Sequence, residues 1–356
     1  MLGKADVNAI VNSDDPILVT GSAGFLGSRV VARLLDLGFN NIRCFARPSR
    51  DLGTLESFRM QCGSRLEIVR GNLLSQTDCD KAVRDVAVVY HLAAGKTEKS
   101  YPDAFMNSVV TTRNLLEASL RYGTLERFVN VSSFAVYTNR DKPRRNILDE
   151  SCPVERAPAG RGEPYCYAKV KQDELVMEYG RKHAIPYIIV RPGPVYGPGD
   201  PGISSRVGSG AFGIFLHLGG SNVMPFTYVD NCADAIVLAG IRAGIDGEVV
   251  NVIDDDLPTS RQFLRLYKKH VGSFSSVPVP RVVSYALCAL WERYSRWSEE
   301  QLPPVFNRRV WHAYWKGSRY TNGKAKRLLG WSPQVTTEEG LRRYFESCRR
   351  GDCSVA

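Results

Sequence analysis

The chain has 356 residues, 44% hydrophobic and 24% charged, which is enough to bury a substantial core in about two domains or one domain with an appended lobe. No segment approaches the roughly 18 uninterrupted apolar residues that a membrane span needs, residues 1–15 carry no signal-peptide core, and the nine cysteines lie scattered without a Cys-x-x-Cys pair, which argues against a disulfide framework or a zinc site and for a reducing, cytoplasmic setting. The net charge of +10 suits a phosphorylated ligand or an anionic surface, but its densest cluster, Arg140, Lys142, Arg144 and Arg145, lacks interleaved aromatics and reads as a solvated loop, so nucleic acid is not expected as a partner.

Ile17-Leu18-Val19-Thr20 reads as a strand running into Gly21-Ser22-Ala23-Gly24-Phe25-Leu26-Gly27. Gly21 permits a tight turn, Gly24 lets the backbone approach a pyrophosphate, and Gly27 lets the following helix pack against the strand. That helix is expected over 28–37, with Val30, Val31, Leu34 and Leu35 at helical spacing and Gly38 as its stop. Residues 21–27 are therefore a candidate dinucleotide loop; a strand before and a helix after weaken the alternative of a glycine-rich turn without a ligand. A second strand, 42–46, ends in Ala46-Arg47-Pro48-Ser49-Arg50, with no acid for the adenosine ribose and two arginines able to pair with a 2′-phosphate. This favours NADP over NAD, unless Arg47 and Arg50 are only exposed loop charges. A third strand, 66–69, leads to Asn72 and Leu73, placed to meet an adenine edge. A fourth, 86–90, leads to His91 and then Leu92-Ala93-Ala94, small enough for close approach to a ribose or pyrophosphate, with His91 expected to be structural. A helix over 103–122 carries Asn107 near its start and Gly123 behind it. Strands alternating with helices at this spacing give an α/β fold, a Rossmann-type doubly wound parallel sheet.

The fifth strand, 127–133, presents Ser132 and Ser133 at its carboxyl end, where open α/β sheets bind ligands. Residues 138–164 read as a loop, and a helix follows from Pro164 to about residue 179. Tyr165 and Lys169, four apart, share a face of that helix. An ammonium and a cationic nicotinamide nearby would bring the phenol toward neutral pH, so that it exchanges a proton with an alcohol or carbonyl while hydride passes to or from the nicotinamide. Ser133 would hold the same oxygen. Tyr167 and Lys171 repeat the spacing, but two positions along a helix turn a side chain by about 200°, so only one pair faces the cofactor.

With these motifs in place the chain resembles an extended short-chain dehydrogenase/reductase over about residues 16–346, in the superfamily of NAD-dependent epimerases/dehydratases and 3β-hydroxysteroid-dehydrogenase-like enzymes. The residues that carry the likeness are Thr20-Gly21-x-x-Gly24-x-x-Gly27, His91-Leu92-Ala93-Ala94, Asn107, Ser132-Ser133-x-x-Val136-Tyr137, Asp149-Glu150, Tyr165-x-x-x-Lys169 and Arg191-Pro192-x-x-x-Tyr196-Gly197-Pro198-Gly199. The resemblance implies that Tyr165 is the proton donor or acceptor, that Lys169 orients the nicotinamide ribose, that Ser133 polarises the substrate oxygen with Asn107 in support, and that Pro192 and Val195 belong to the cofactor site. The small Ala168 before the lysine selects Tyr165 over Tyr167. Asn72 departs from the family's usual aspartate and Thr138 from its usual glycine. The implied organisation is an N-terminal extension over 1–15, a dinucleotide-binding domain with the catalytic residues over 16–198, a substrate lobe interleaved with returning sheet elements over 199–346, and a tail over 347–356.

In the lobe, 199–224 is glycine-rich and reads as a mobile cover. The apolar run 277–291 is too short to span a bilayer; a buried helix is expected, with a substrate wall or membrane-surface contact as alternatives. Two chemical branches stay open. Nucleotide-sugar epimerases and dehydratases reduce and reoxidise the cofactor within one cycle, whereas the 3β-hydroxysteroid-dehydrogenase-like branch performs net redox. Pro194 and Met224-Pro225, where sugar-nucleotide members commonly have Asn and an Arg-Asp pair, favour net alcohol–ketone redox, although Arg206 or Arg309 could substitute as phosphate donors. A non-catalytic cofactor-binding protein is the distant alternative. The expected partner is a small-molecule substrate, without a metal, and a homodimer is compatible with the resemblance.

Overall fold

The computed structural model describes residues 9–95, 100–142, 146–200, 202–211, 213–298, 301 and 306–352. Seven parallel strands form the central sheet: β1 Ile17–Thr20, β2 Ile42–Ala46, β3 Leu66–Arg70, β4 Val88–His91, β5 Arg127–Val131, β6 Tyr187–Pro192 and β7 Glu248–Val252. Their order across the sheet is β7-β6-β5-β4-β1-β2-β3, so β1 lies beside β4, with Thr20 opposite His91. The winding reverses between these two strands, and the crevice beyond their carboxyl ends is where such sheets take ligands.

Both faces of the sheet are covered, which is why its central strands read as continuous apolar runs. Along β1 the pleat sends Ile17 and Val19 to one side, against Val30, Val31 and Leu34 of helix Phe25–Asp36 and the apolar residues of helix Val229–Ile241. Leu18 goes to the other side with Leu115, Leu116, Leu175 and Val176. Within the expected N-terminal extension, Val11 joins the first of these clusters and the Ile10 amide donates to the Ile241 carbonyl at 2.9 Å.

The helix expected over 103–122 starts as Tyr101–Ala104, widens into a π-helical stretch at Phe105–Val110 and continues as Thr111–Tyr122, ending on Gly123 at φ 66°. The hydroxyls of Thr111 and Thr112 donate back to the carbonyls of Asn107 and Ser108, an arrangement that competes with regular i→i−4 pairing.

One expectation for the lobe gains detail and one is corrected. The stretch read as a cover contains an antiparallel pair, Gly208–Ala211 with Ile214–His217, extended by Ser276–Pro278, and its flanks are anchored by buried Val207 and Leu218. The apolar run forms helix Arg281–Trp297, which is not buried: it turns Ser284, Cys288 and Ser295 inward and leaves Val282 81%, Leu290 63% and Trp297 77% exposed. Its periodicity defined an apolar face, but periodicity does not say which way a face points. The thiols differ from expectation at one position: Cys348 is disulfide-bonded, whereas Cys44, Cys62, Cys79, Cys152, Cys166, Cys232 and Cys288 are free.

A methyl group at Gly27 would lie 2.1 Å from the Gly21 carbonyl oxygen, a backbone atom with no room to retreat. Gly27→Ala is therefore expected to cost about 3 kcal/mol or more in urea unfolding. Gly38→Ala, at φ +90° with nothing within 4 Å, should cost only about 1–2 kcal/mol of backbone strain.

Candidate active site

The glycine loop is built tightly. Gly21 adopts φ +69°, and a Cβ there would meet the Ala93 amide nitrogen at 2.9 Å, so the loop and the end of β4 touch through backbone alone. The Ser22 hydroxyl donates to the Phe45 carbonyl at 3.1 Å, tying the loop to β2; its side chain is thereby spent on structure. Helix Phe25–Asp36 begins at Gly24 with no side-chain cap and no acid in its first turn. A cradle that a Cβ would fill, in front of uncapped amides at a positive helix end, fits the pyrophosphate of a dinucleotide.

Around this loop, Ala23, Phe25, Leu26, Leu92, Ala93 and Ala94 are half-buried, and Arg47 and Asn72 are exposed at the ends of β2 and β3. The Asn72 side-chain oxygen accepts from the Leu74 amide at 3.0 Å, which leaves its NH2 group as the part available to an adenine. Leu73 differs from the expectation of an edge contact: its side chain is buried in the core and its carbonyl accepts from Asn114 at 2.9 Å. Pro192 closes β6, and Val195 follows in the short strand Val195–Tyr196.

His91 is structural, as expected. Its Nδ1 meets the Thr20 hydroxyl and its Nε2 the Thr112 hydroxyl, both at 2.8 Å. Since Thr112 itself donates to the Ser108 carbonyl, the network assigns the His91 proton to Nε2. Burial, and secondarily the charge of Lys169, push the imidazole down to about 3, so it is neutral at ordinary pH.

The catalytic candidates come together where β5 ends. Ser133 caps the short turn Phe134–Val136 by accepting from the Ala135 amide at 3.1 Å, and its hydroxyl lies beside Tyr165, whose pKa it lowers. Tyr165 and Lys169 lie on helix Pro164–His183, and the Lys169 ammonium donates to the Val131 carbonyl at 2.7 Å. Tyr167 instead packs edge-on against Tyr101, at 5.3 Å, and Lys171 pairs with Glu174 on the surface. Only the Tyr165 pair meets Ser133. Asn107 sits half-buried in the π-helical stretch, where its carbonyl accepts from Thr111. The outer part of the Tyr165 helix also borders a surface groove lined by Glu174, Met177, Glu178, Gly180, Arg181 and Tyr187, which holds none of the catalytic candidates.

The expected drop in the Tyr165 pKa is absent from the chain alone. Burial pushes the phenol above its ordinary value, opposed by the Ser133 hydroxyl, while Lys169 is engaged with Val131. Burial also pushes Lys169 down to about 8, with Asp173 resisting.

Asp173, one further turn along this helix, went unread in the sequence. One carboxylate oxygen accepts from Asn130 at 3.0 Å; the other accepts from Ser132 at 2.9 Å and from Arg191 at 3.1 and 3.0 Å. Arg191 also reaches the Tyr137 hydroxyl, which donates to Asn251 at 2.9 Å. The i, i+4, i+8 series Tyr165, Lys169, Asp173 was the available signal.

A sheet of this winding with a hydroxyl–phenol–ammonium group one strand away from its switch point fits a nucleotide-dependent α/β enzyme, and comparison with known proteins places it further. Residues 17–252 match the model of the NAD dependent epimerase/dehydratase family, to which the chain belongs. Sterol-4-alpha-carboxylate 3-dehydrogenase, decarboxylating, of Saccharomyces cerevisiae is 26% identical over 353 residues, covering 92% of this chain and 96% of the yeast protein. The 2-alkyl-3-oxoalkanoate reductase of Stenotrophomonas maltophilia is 27% identical, covering 93% and 98%. A dTDP-glucose 4,6-dehydratase from Streptomyces venezuelae, solved with NAD bound, shares the fold at a TM-score of 0.70 and 22% identity, covering 94% and 97%.

Lys169 has a measurable signature. Below about pH 8 its amine is charged whether folded or unfolded, whereas between about 8 and 10.5 only the unfolded chain keeps the proton, so folding becomes progressively favoured across that window. Urea unfolding is expected to show the wild type gaining stability relative to Lys169→Met over this range. A constant difference between the two would mean that Lys169 titrates as a solvated amine.

Proposed function

We propose that the chain interconverts a secondary alcohol and a ketone by net hydride transfer on a fairly apolar substrate, in the manner of the 3β-hydroxysteroid-dehydrogenase-like branch. The carrying observation is that Met224 is 1% exposed and packs into an apolar cluster with Phe226, Tyr196 and Val207. The Pro194 carbonyl accepts from the Thr227 amide at 3.1 Å. Neither position offers a side-chain donor, and a buried pyrophosphate without donors is heavily penalised. The two curated relatives described above, a dehydrogenase and a reductase, also support net redox.

In this reading Gly21 to Gly27 hold the pyrophosphate, Leu92, Ala93 and Ala94 lie along it, and the NH2 group of Asn72 meets the adenine. A bound nicotinamide supplies the hydride acceptor or donor. Ser133 and Tyr165, side by side, take the substrate oxygen between them, and Tyr165 gives or receives its proton. Lys169, charged below about pH 8, holds the ribose hydroxyls and favours the phenolate once it is drawn toward them.

Three measurements test this. Tyr165→Phe is expected to abolish turnover with cofactor affinity nearly intact, and Tyr167→Phe to cost far less; the reverse pattern would overturn the chosen register. NADP is expected to bind more tightly than NAD by roughly 10- to 150-fold, the worth of a charge-assisted pair, and Arg47→Ala should remove that preference. Equal affinities would leave Arg47 as surface charge. With an apolar secondary alcohol or ketone, absorbance near 340 nm, the usual reduced-nicotinamide signal, should change in proportion to product. A nucleotide sugar converted without any net change would restore the epimerase reading.

A further inference from the structure

Next to the catalytic pair lies a stack of charge with one side unbalanced. Helix Arg308–Tyr314 brings the ring of Tyr314 between two guanidiniums, with the Cζ of Arg161 5.0 Å and that of Arg206 4.9 Å from its centroid. Arg161 is 0% exposed: its Nη1 donates to the carbonyls of Ala135 and Tyr137, its Nε is in ion-pair contact with Glu163 without forming a hydrogen bond, and its Nη2 has no partner. Arg206 is 6% exposed, and what it has is a 2.9 Å bond to the Ala313 carbonyl. Among the described residues no carboxylate pairs with it. Arg309, the other arginine that could have served a phosphate, is already spent on Glu155 at 2.7 Å.

The stack adjoins the reacting groups through covalent and ring contacts. Glu163 immediately precedes the helix that carries Tyr165. Phe134, which follows Ser133, packs against Tyr320 at 6.0 Å, and Arg206 acts electrostatically on both Tyr320 and Tyr314. The loop carrying Arg206 is pinned in place, since the Trp315 indole donates to the Ser205 carbonyl at 3.0 Å.

Glu155 also acts on Arg161, so three guanidiniums, Arg161, Arg206 and Arg309, stand against two carboxylates, Glu163 and Glu155, which leaves one positive charge, that of the 6% exposed Arg206, without a carboxylate. A buried charge without a partner costs several kcal/mol, and an incoming anion recovers it. We infer that Arg206, presented on the face of Tyr314, holds a singly charged oxyanion of the substrate, set apart from the hydroxyl that Ser133 and Tyr165 bind. A guanidinium backed by an aromatic face and offering its planar fork suits a carboxylate or a phosphate in its singly charged form. One net charge suits a monoanion better than a diphosphate. The inference deepens the redox reading above, and rests on it for placing the subsite beside the substrate.

The test is thermal unfolding of the full chain with NADP at saturation, so that the glycine loop is filled, at constant ionic strength in chloride, hexanoate or inorganic phosphate. Hexanoate, phosphate or both should raise the melting temperature by about 2 °C or more over chloride, and which of them does so identifies a carboxylate or a phosphate as the group held. In Arg206→Met the rise should vanish, while stability in chloride is equal to or higher than that of the wild type, because an uncompensated charge has been replaced by an apolar chain of similar length. Arg206→Lys should keep part of the rise. A rise that survives in Arg206→Met, no anion-specific rise in the wild type, or an Arg206→Met chain less stable in chloride or unable to fold would each overturn the inference by showing that Arg206 is a satisfied structural residue. The readout needs no turnover: a chain that oxidises a neutral alcohol yet shows no anion effect refutes the subsite and leaves the redox reading standing.

Discussion

Asp173 is a carboxylate held almost wholly out of water, and its two oxygens accept from side chains on two neighbouring strands, Asn130 and Ser132 around the end of β5 and Arg191 on β6. It thereby fixes helix Pro164–His183 in rotation and along its axis against the sheet. Tyr165 and Lys169 lie two turns and one turn before it on the same face, so the phenol meets Ser133 because Asp173 is where it is. Loss of one partner from such a pair typically costs about 3–5 kcal/mol, and here it would also leave the catalytic helix free to roll. Burial raises the Asp173 pKa, and Arg191 and Ser132 oppose that rise.

The second constraint is closeness of backbone. Gly21 and Gly27 meet through atoms that no side chain can replace, and Gly21 also abuts Ala93, so loop, helix and the end of β4 form one rigid corner. His91 sits behind that corner, stripped of its charge by burial, linking Thr20 to Thr112 as a fixed strut. The uncapped helix end is in this way aimed by packing alone.

Much of this was legible in the sequence because it is local. Glycine spacing, strand runs and the four-residue step from Tyr165 to Lys169 each state their geometry within a few residues, and the small Ala168 chose between the overlapping tyrosine pairs. What escaped is tertiary. Nothing near Asp173 announces Arg191, which lies 18 residues further on, nor does anything near Arg206 announce that Tyr314 will lie across its guanidinium. Burial of the Tyr165 phenol, which raises its pKa, and the turn of the Lys169 ammonium to Val131 are both set by tertiary packing. Leu73 was read as an edge and is core, since a strand-end residue can face either way. The π-helical widening at 105–110, beside threonine hydroxyls that donate back to Asn107 and Ser108, has no signal in helix propensity.

The inverted polarity of helix Arg281–Trp297 separates two kinds of selection. Small residues, Ser284, Cys288 and Ser295, seat it, with the Trp311 indole donating to the Ser284 hydroxyl at 2.9 Å. A bulky replacement at any of them would lift the whole helix, whereas Val282, Leu290 or Trp297 can change to polar residues with little effect on folding. Stability alone therefore gives no reason for this outward row to stay apolar over evolutionary time, and its composition is free to drift unless something beyond the fold makes use of it.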